Sequence, residues 1–124
     1  MIHYISPERL TIQRVGEIIE NNLKIALSDE AVSRITRCRQ YLDDKISECD
    51  HPIYGITTGF GSLCNISIDS QDLSKLQENL VKSHACGCGE KVDPQIVKIM
   101  LLTKIMSRSF GISGVQLSTV QRLV

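Results

Sequence analysis

The strongest constraint on how this chain can fold lies in residues 94–106. Asp93-Pro94 opens a helix there, proline being well suited to the first helical position. Ile96, Val97, Ile99, Met100, Leu101, Leu102, Ile105 and Met106 then leave little polar surface. A helix apolar over most of its circumference needs cover on several sides. The remainder of a 124-residue chain barely supplies it. Beyond Gly111 and Gly114, a further helical pattern starts around Gln116 to Ser118 and keeps its period through Val120, Leu123 and Val124. No cap, glycine or basic tail closes that pattern. Both features predict a segment of something larger.

The partners available to that helix can be read in order. His3-Tyr4-Ile5 reads as a short strand. Thr11 reads as a helix cap, with Leu10 and Val15 closing a hydrophobic staple over it; Ser6-Pro7 is a competing start of second rank. Val15, Ile18 and Ile19 continue the apolar face. Leu23, Ile25 and Leu27 alternate with Lys24 and Ala26, which predicts a second short strand beside residues 3–5. Ser28 caps the next helix, with Asp29 and Glu30 in the first turn, where the helix dipole favours acids. Its stripe is Val32, Ile35, Cys38, Leu42 and Ile46, and His51-Pro52 ends it. Asp69 is the expected cap of another helix, with Ile68 and Leu73 as staple. Leu73, Leu76, Leu80, Val81 and His84 share one face, so His84 is expected to point inward, and Gly87 and Gly89 close the helix. The expected fold is mainly α, with one short β-hairpin-like element and a glycine-rich loop.

Composition excludes several functions. Fourteen basic and fourteen acidic residues balance, leaving no electrostatic footprint for nucleic acid or an anionic membrane. No apolar run is long enough to span a bilayer and no basic-then-apolar leader opens the chain. Five cysteines, an odd number, fit reduced thiols in a cytoplasm. His84 near Cys86 and Cys88 is too small a ligand set for structural zinc, and no metal is expected.

The loop is Tyr54-Gly55-Ile56-Thr57-Thr58-Gly59-Phe60-Gly61. Its glycines are unsuited to a helix, and Ile56-Thr57-Thr58 favours extended backbone. The spacing of Gly55, Gly59 and Gly61 matches neither the dinucleotide fingerprint nor the P-loop. Two readings of Tyr54 stand: packed beneath a turn, the commoner outcome for glycine loops, or presented as a base. A tyrosine serves as a base only where its surroundings lower a pKa ordinarily near 10. His84 likewise reads as a satisfied core histidine, the favoured reading, or as a contact to a polar substrate group.

Tyr54–Gly61 resembles the signature of the aromatic amino acid ammonia-lyases, and Leu76–Glu90 resembles the same family's next motif. Ser113-Gly114-Val115 resembles a third, weaker landmark. The resemblance covers nearly the whole chain and is closest to the histidine-type members. It implies that residues 1–124 are the N-terminal domain of a larger all-α enzyme. That enzyme would be a homotetramer with shared active sites, eliminating ammonia from L-histidine to give trans-urocanate. It implies Tyr54 as general base for the β-proton and His84 as contact to the substrate side chain. The implied electrophile is 4-methylidene-imidazol-5-one (MIO), formed from an Ala-Ser-Gly that these residues do not contain. Thr57 stands where histidine-type members usually carry Asn and phenylalanine-type ones Thr, and Gln116 stands where Arg is common. A tyrosine or phenylalanine ammonia-lyase, an aminomutase of the same family, and a non-catalytic helical binding module remain as alternatives.

Overall fold

A computed structural model of the chain describes residues 1–49, 51–58 and 71–124. In chain order the elements are β1 (Ile2–Ile5), α1 (Ile12–Glu20), β2 (Lys24–Leu27), α2 (Asp29–Glu48), α3 (Leu73–His84), α4 (Pro94–Ser109) and α5 (Leu117–Leu123). They fall into two compact units, one of Met1–Asp44 with Lys91–Val124 and one of Lys45–Glu90. No helix among the described residues is long and apolar enough to cross a membrane.

In the first unit, β1 and β2 pair in parallel, with Ile2 opposite Lys24 and Ile5 opposite Leu27. The sequence predicted a hairpin-like pair, and this is a correction. The chain spends the connection on α1, and a helical crossover returns the second strand in the same direction as the first. Thr11 caps α1 as expected, its Oγ1 accepting the Arg14 N–H at 3.2 Å. The far end of α1 closes in a Schellman motif. The Asn22 N–H donates to the Ile19 carbonyl at 3.1 Å and the Leu23 N–H to the Ile18 carbonyl at 3.0 Å. Asn22 adopts φ +46°, a left-handed conformation that asparagine tolerates better than most residues. Ser28 caps α2, accepting the Ala31 N–H at 3.2 Å.

The core joins Ile5, Ile18, Ile35, Leu102, Ile105 and Val120, with Leu10, Val15, Leu23, Ile25 and Leu27 packed around them. Each strand and each helix of the first unit therefore contributes to one cluster. Fully burying a side chain of this size stabilises by roughly 1.5–3 kcal/mol. Asp93 starts α4 by accepting the Gln95 N–H at 2.7 Å. Leu102, Ile105 and Ser109 form the buried stripe of α4. The Ser109 hydroxyl lies 3.1 Å from the Ser6 carbonyl oxygen and 2.7 Å from that of Met106. Met106 packs partly buried against the core, while Ile96 at 52% and Met100 at 61% exposure stay open.

The turn after α4 is clasped to α2. Gly114 N–H donates to Cys38 Sγ at 3.3 Å, and the Arg39 guanidinium donates to the Gly114 carbonyl at 3.2 Å. Arg39 also pairs with Asp43 through both carboxylate oxygens. That hydrogen bond foremost, and the guanidinium charge as well, outweigh desolvation and hold the Asp43 carboxyl below the usual carboxylate range. A Cβ on Gly111, at φ +67°, would stand 2.6 Å from the Arg34 backbone carbonyl. Gly111→Ala therefore combines left-handed strain with a clash against backbone that cannot swing aside. It is expected to lower stability by roughly 2–4 kcal/mol, read as the shift in urea midpoint.

His3 Nδ1 accepts from the Arg14 guanidinium at 3.2 Å. Burial, and secondarily the Arg14 charge, push the His3 pKa below its ordinary value. The unfolded chain then binds a proton at His3 more readily than the folded one. Stability should fall as pH drops below about 6.5. In His3→Gln that part of the acid slope in melting temperature should vanish.

Candidate active site

Tyr54 stands in a turn of the second unit. The Ile53 carbonyl accepts from the N–H groups of Ile56 and Thr57, each at 3.0 Å. Gly55 takes φ +71°, which only glycine adopts without steric cost. Two hydroxyls lock this turn. The Ile53 N–H donates to Thr57 Oγ1 at 2.9 Å and the Gly55 N–H to Thr58 Oγ1 at 3.2 Å. Thr58 is buried at 2% exposure while Tyr54 is 64% exposed. The ring thus projects from an anchored backbone instead of packing beneath it. The sequence predicted an extended, tightly turned loop: the turn is present, and Ile56-Thr57 lie in it instead of extending. Threonine hydroxyls satisfy locally the amides that a strand partner would otherwise take. Gly59 and Gly61 lie outside the described residues, as do Ile68 and Asp69, the expected staple and cap of α3.

His84 is the last residue of α3, which begins after Asp72 with no side-chain capping bond at that residue. Its Nδ1 lies 2.8 Å from the Leu80 carbonyl oxygen and 3.0 Å from Ser83 Oγ. A carbonyl only accepts, so this geometry assigns the proton to Nδ1. Nε2 is then left with its lone pair as an acceptor. The expectation that His84 points inward is corrected: it is exposed, as is Val81, while Leu76 and Leu80 are half-buried. Helical period places a residue on a face, but the last turn of α3 is open among the described residues, and period alone cannot supply its cover.

Tyr54 and His84 belong to one unit, and each is presented by its own local hydrogen bonds. The threonine clamps had a sequence signal, the tendency of Ser and Thr side chains to bond nearby backbone, which the glycine pattern overshadowed. An apolar cleft of about 200 Å³ lies elsewhere, between α1 and α4. Ile19, Leu23, Leu101 and Leu102 line it, and a Lys98 Nζ to Asn22 Oδ1 bond of 3.3 Å crosses its rim. It contains neither Tyr54 nor His84 and offers few convergent polar groups, so chemistry is better sought at the exposed pair. Among the described residues, no three His, Cys, Asp or Glu side chains gather in a way that could hold a metal.

Residues 10–124 match the family described as aromatic amino acid lyase. Histidine ammonia-lyase of Clostridium tetani is 41% identical over 115 residues, covering 93% of this chain and 22% of the relative. The crystal structure of histidine ammonia-lyase from Trypanosoma cruzi superposes with a TM-score of 0.84 at 33% identity, over 99% of this chain and 24% of that one. Tyrosine aminomutase from Streptomyces globisporus superposes with a TM-score of 0.88 at 26% identity, over 99% of this chain and 23% of that one. The chain therefore spans less than a quarter of the length of these relatives. With its mainly helical fold and its match over residues 10–124, the chain belongs to the aromatic amino acid lyase family.

Proposed function

We propose that this chain furnishes the base-bearing part of a carbon–nitrogen lyase that eliminates ammonia from L-histidine to give trans-urocanate. The observation that carries this reading is the 41% identity, over 93% of the chain, to a histidine ammonia-lyase, in a chain that holds Tyr54 outward on a hydroxyl-locked turn. The β-proton of an amino acid is weakly acidic. Its removal calls for a base held at close range in a dry site. Tyr54 is that base, and the clamps from Thr57 and Thr58 limit how far its backbone can wander. Covering that site falls to parts of the protein beyond these residues.

His84 reads the substrate side chain. With Nδ1–H committed to Leu80, Nε2 accepts a hydrogen bond. A histidine imidazole offers it one N–H donor, whereas a phenylalanine ring offers none. A tyrosine hydroxyl also donates, and the fold shared with a tyrosine aminomutase supports a second reading as a tyrosine-type lyase or aminomutase, while Thr57 points toward the phenylalanine type. The family's electrophile, MIO, would supply the electron-withdrawing centre that activates the amine. These 124 residues contain no Ala-Ser-Gly to form it. The site is read as completed by other segments and by further subunits of a cytoplasmic homo-oligomer, a tetramer as in the family.

Three outcomes are expected. The pure 124-residue chain should release no ammonia from L-histidine. In an active lyase carrying this segment, Tyr54→Phe should lower kcat by about 10²–10⁴-fold. There His84→Leu should raise KM for histidine far more than for phenylalanine. A panel of histidine, tyrosine and phenylalanine, followed by absorbance of the unsaturated acids, separates the two readings. Undiminished turnover by the Tyr54→Phe enzyme would remove Tyr54 from the chemistry.

A further inference from the structure

α3 stops at His84. The last turn is closed by the Ala85 N–H on the Val81 carbonyl and the Cys86 N–H on the His84 carbonyl, each at 2.9 Å. Cys86 and Cys88 follow at once, both free and both exposed. Between them stands Gly87, where an added Cβ would meet nothing within 4 Å, and the same holds at Gly89. Two open thiols thus flank a residue that no packing fixes, on backbone that belongs to neither helix nor strand.

We propose that Cys86-Gly87-Cys88 is a thiol–disulfide exchange site, a dithiol that closes into a local disulfide with a glutathione-type disulfide as oxidant. A disulfide needs Cα atoms about 4.4–6.8 Å apart. Residues two apart reach that range when the residue between them turns, and glycine has the widest choice of turning conformations. In the 124-residue chain the exposure of both thiols admits the oxidant. The second thiol is tethered by a single residue, so its local concentration far exceeds that of free glutathione. The small ring is both strained and open to solvent, which makes the bond a labile, reversible one.

The exchange balances as follows. One cysteine thiolate attacks a sulfur of the oxidised glutathione, forming a mixed disulfide and expelling a glutathione thiolate. The other cysteine thiolate attacks the protein sulfur of that mixed disulfide, forming Cys86–Cys88 and expelling the second glutathione thiolate. The dithiol loses two electrons and the glutathione disulfide gains them. The two protons from the cysteine thiols pass to the two glutathione thiolates. Ring closure stiffens the exit of α3 two residues beyond His84. Its bearing on substrate contact rests on the reading of His84 given above, whereas the exchange chemistry stands without it.

The test uses the full 124-residue chain, reduced, then held with excess oxidised glutathione and quenched with acid. The expected product is lighter by about 2 Da, the loss of two hydrogens in a two-electron couple. It should yield a Cys86–Cys88 cross-linked peptide and revert with dithiothreitol. Cys88→Ser should instead retain glutathione on Cys86, and Cys86→Ser on Cys88, because each lacks the thiol that resolves the adduct. A stable glutathione adduct on either cysteine of the unsubstituted chain overturns the proposal. So does a disulfide from either one to another cysteine, or two unchanged thiols. All of these readouts are masses, so they are independent of whether His84 contacts substrate.

Discussion

Leu102 and Ile105 of α4, seated among Ile5, Ile18, Ile35 and Val120, form the contact on which the rest depends. This seam joins two stretches of chain separated by the whole of Lys45–Glu90. Closing so long an excursion costs conformational entropy, but the cost grows only slowly with length, and burial of several large aliphatic side chains offsets it. The residues bearing Tyr54 and His84 are thereby tethered at both ends by a core to which, among the described residues, they contribute none of the fully buried side chains. Core and candidate site are built from different parts of the chain, so the loop sequence can serve chemistry without weakening the seam.

The helices were legible wherever a local signal and the apolar period agreed. Thr11, Ser28 and Asp93 cap as their positions predict, and Ile35, on the stripe expected of α2, is buried. Strand direction was not legible, because alternation in Leu23–Leu27 says that a strand forms and nothing about which way its partner runs. The Asn21-Asn22 pair was the missed signal, since asparagine at a helix end marks the reversal that carries the chain into β2. For α4 the period of the sequence showed an excess of apolar surface. Ile96 and Met100 remain exposed accordingly.

The site was legible as motif and much less so as geometry. Glycine spacing and family resemblance singled out Tyr54, yet neither showed that threonine hydroxyls lock the turn beneath it. The inward placement expected of His84 failed for a related reason. Period fixes azimuth around a helix axis, while burial needs a neighbour that the sequence of the helix itself does not encode. What the structure adds is a tautomer: the carbonyl of Leu80 commits one ring nitrogen, leaving the other as the acceptor.

Ser109 carries a further consequence. A helix with hydrocarbon on nearly every side has many rotations about its own axis that bury similar apolar area, and area alone ranks them poorly. The Ser109 hydroxyl lies within the seam at 0% exposure, within reach of the Ser6 carbonyl beyond the end of β1. Rotating or sliding α4 by one residue would cost that hydroxyl its Ser6 partner and leave it only the Met106 carbonyl of its own helix, at roughly 0.5–1.5 kcal/mol. The hydroxyl works as an indexing pin. It selects one angular setting from a near-degenerate set, and so decides which apolar residues of α4 are turned outward.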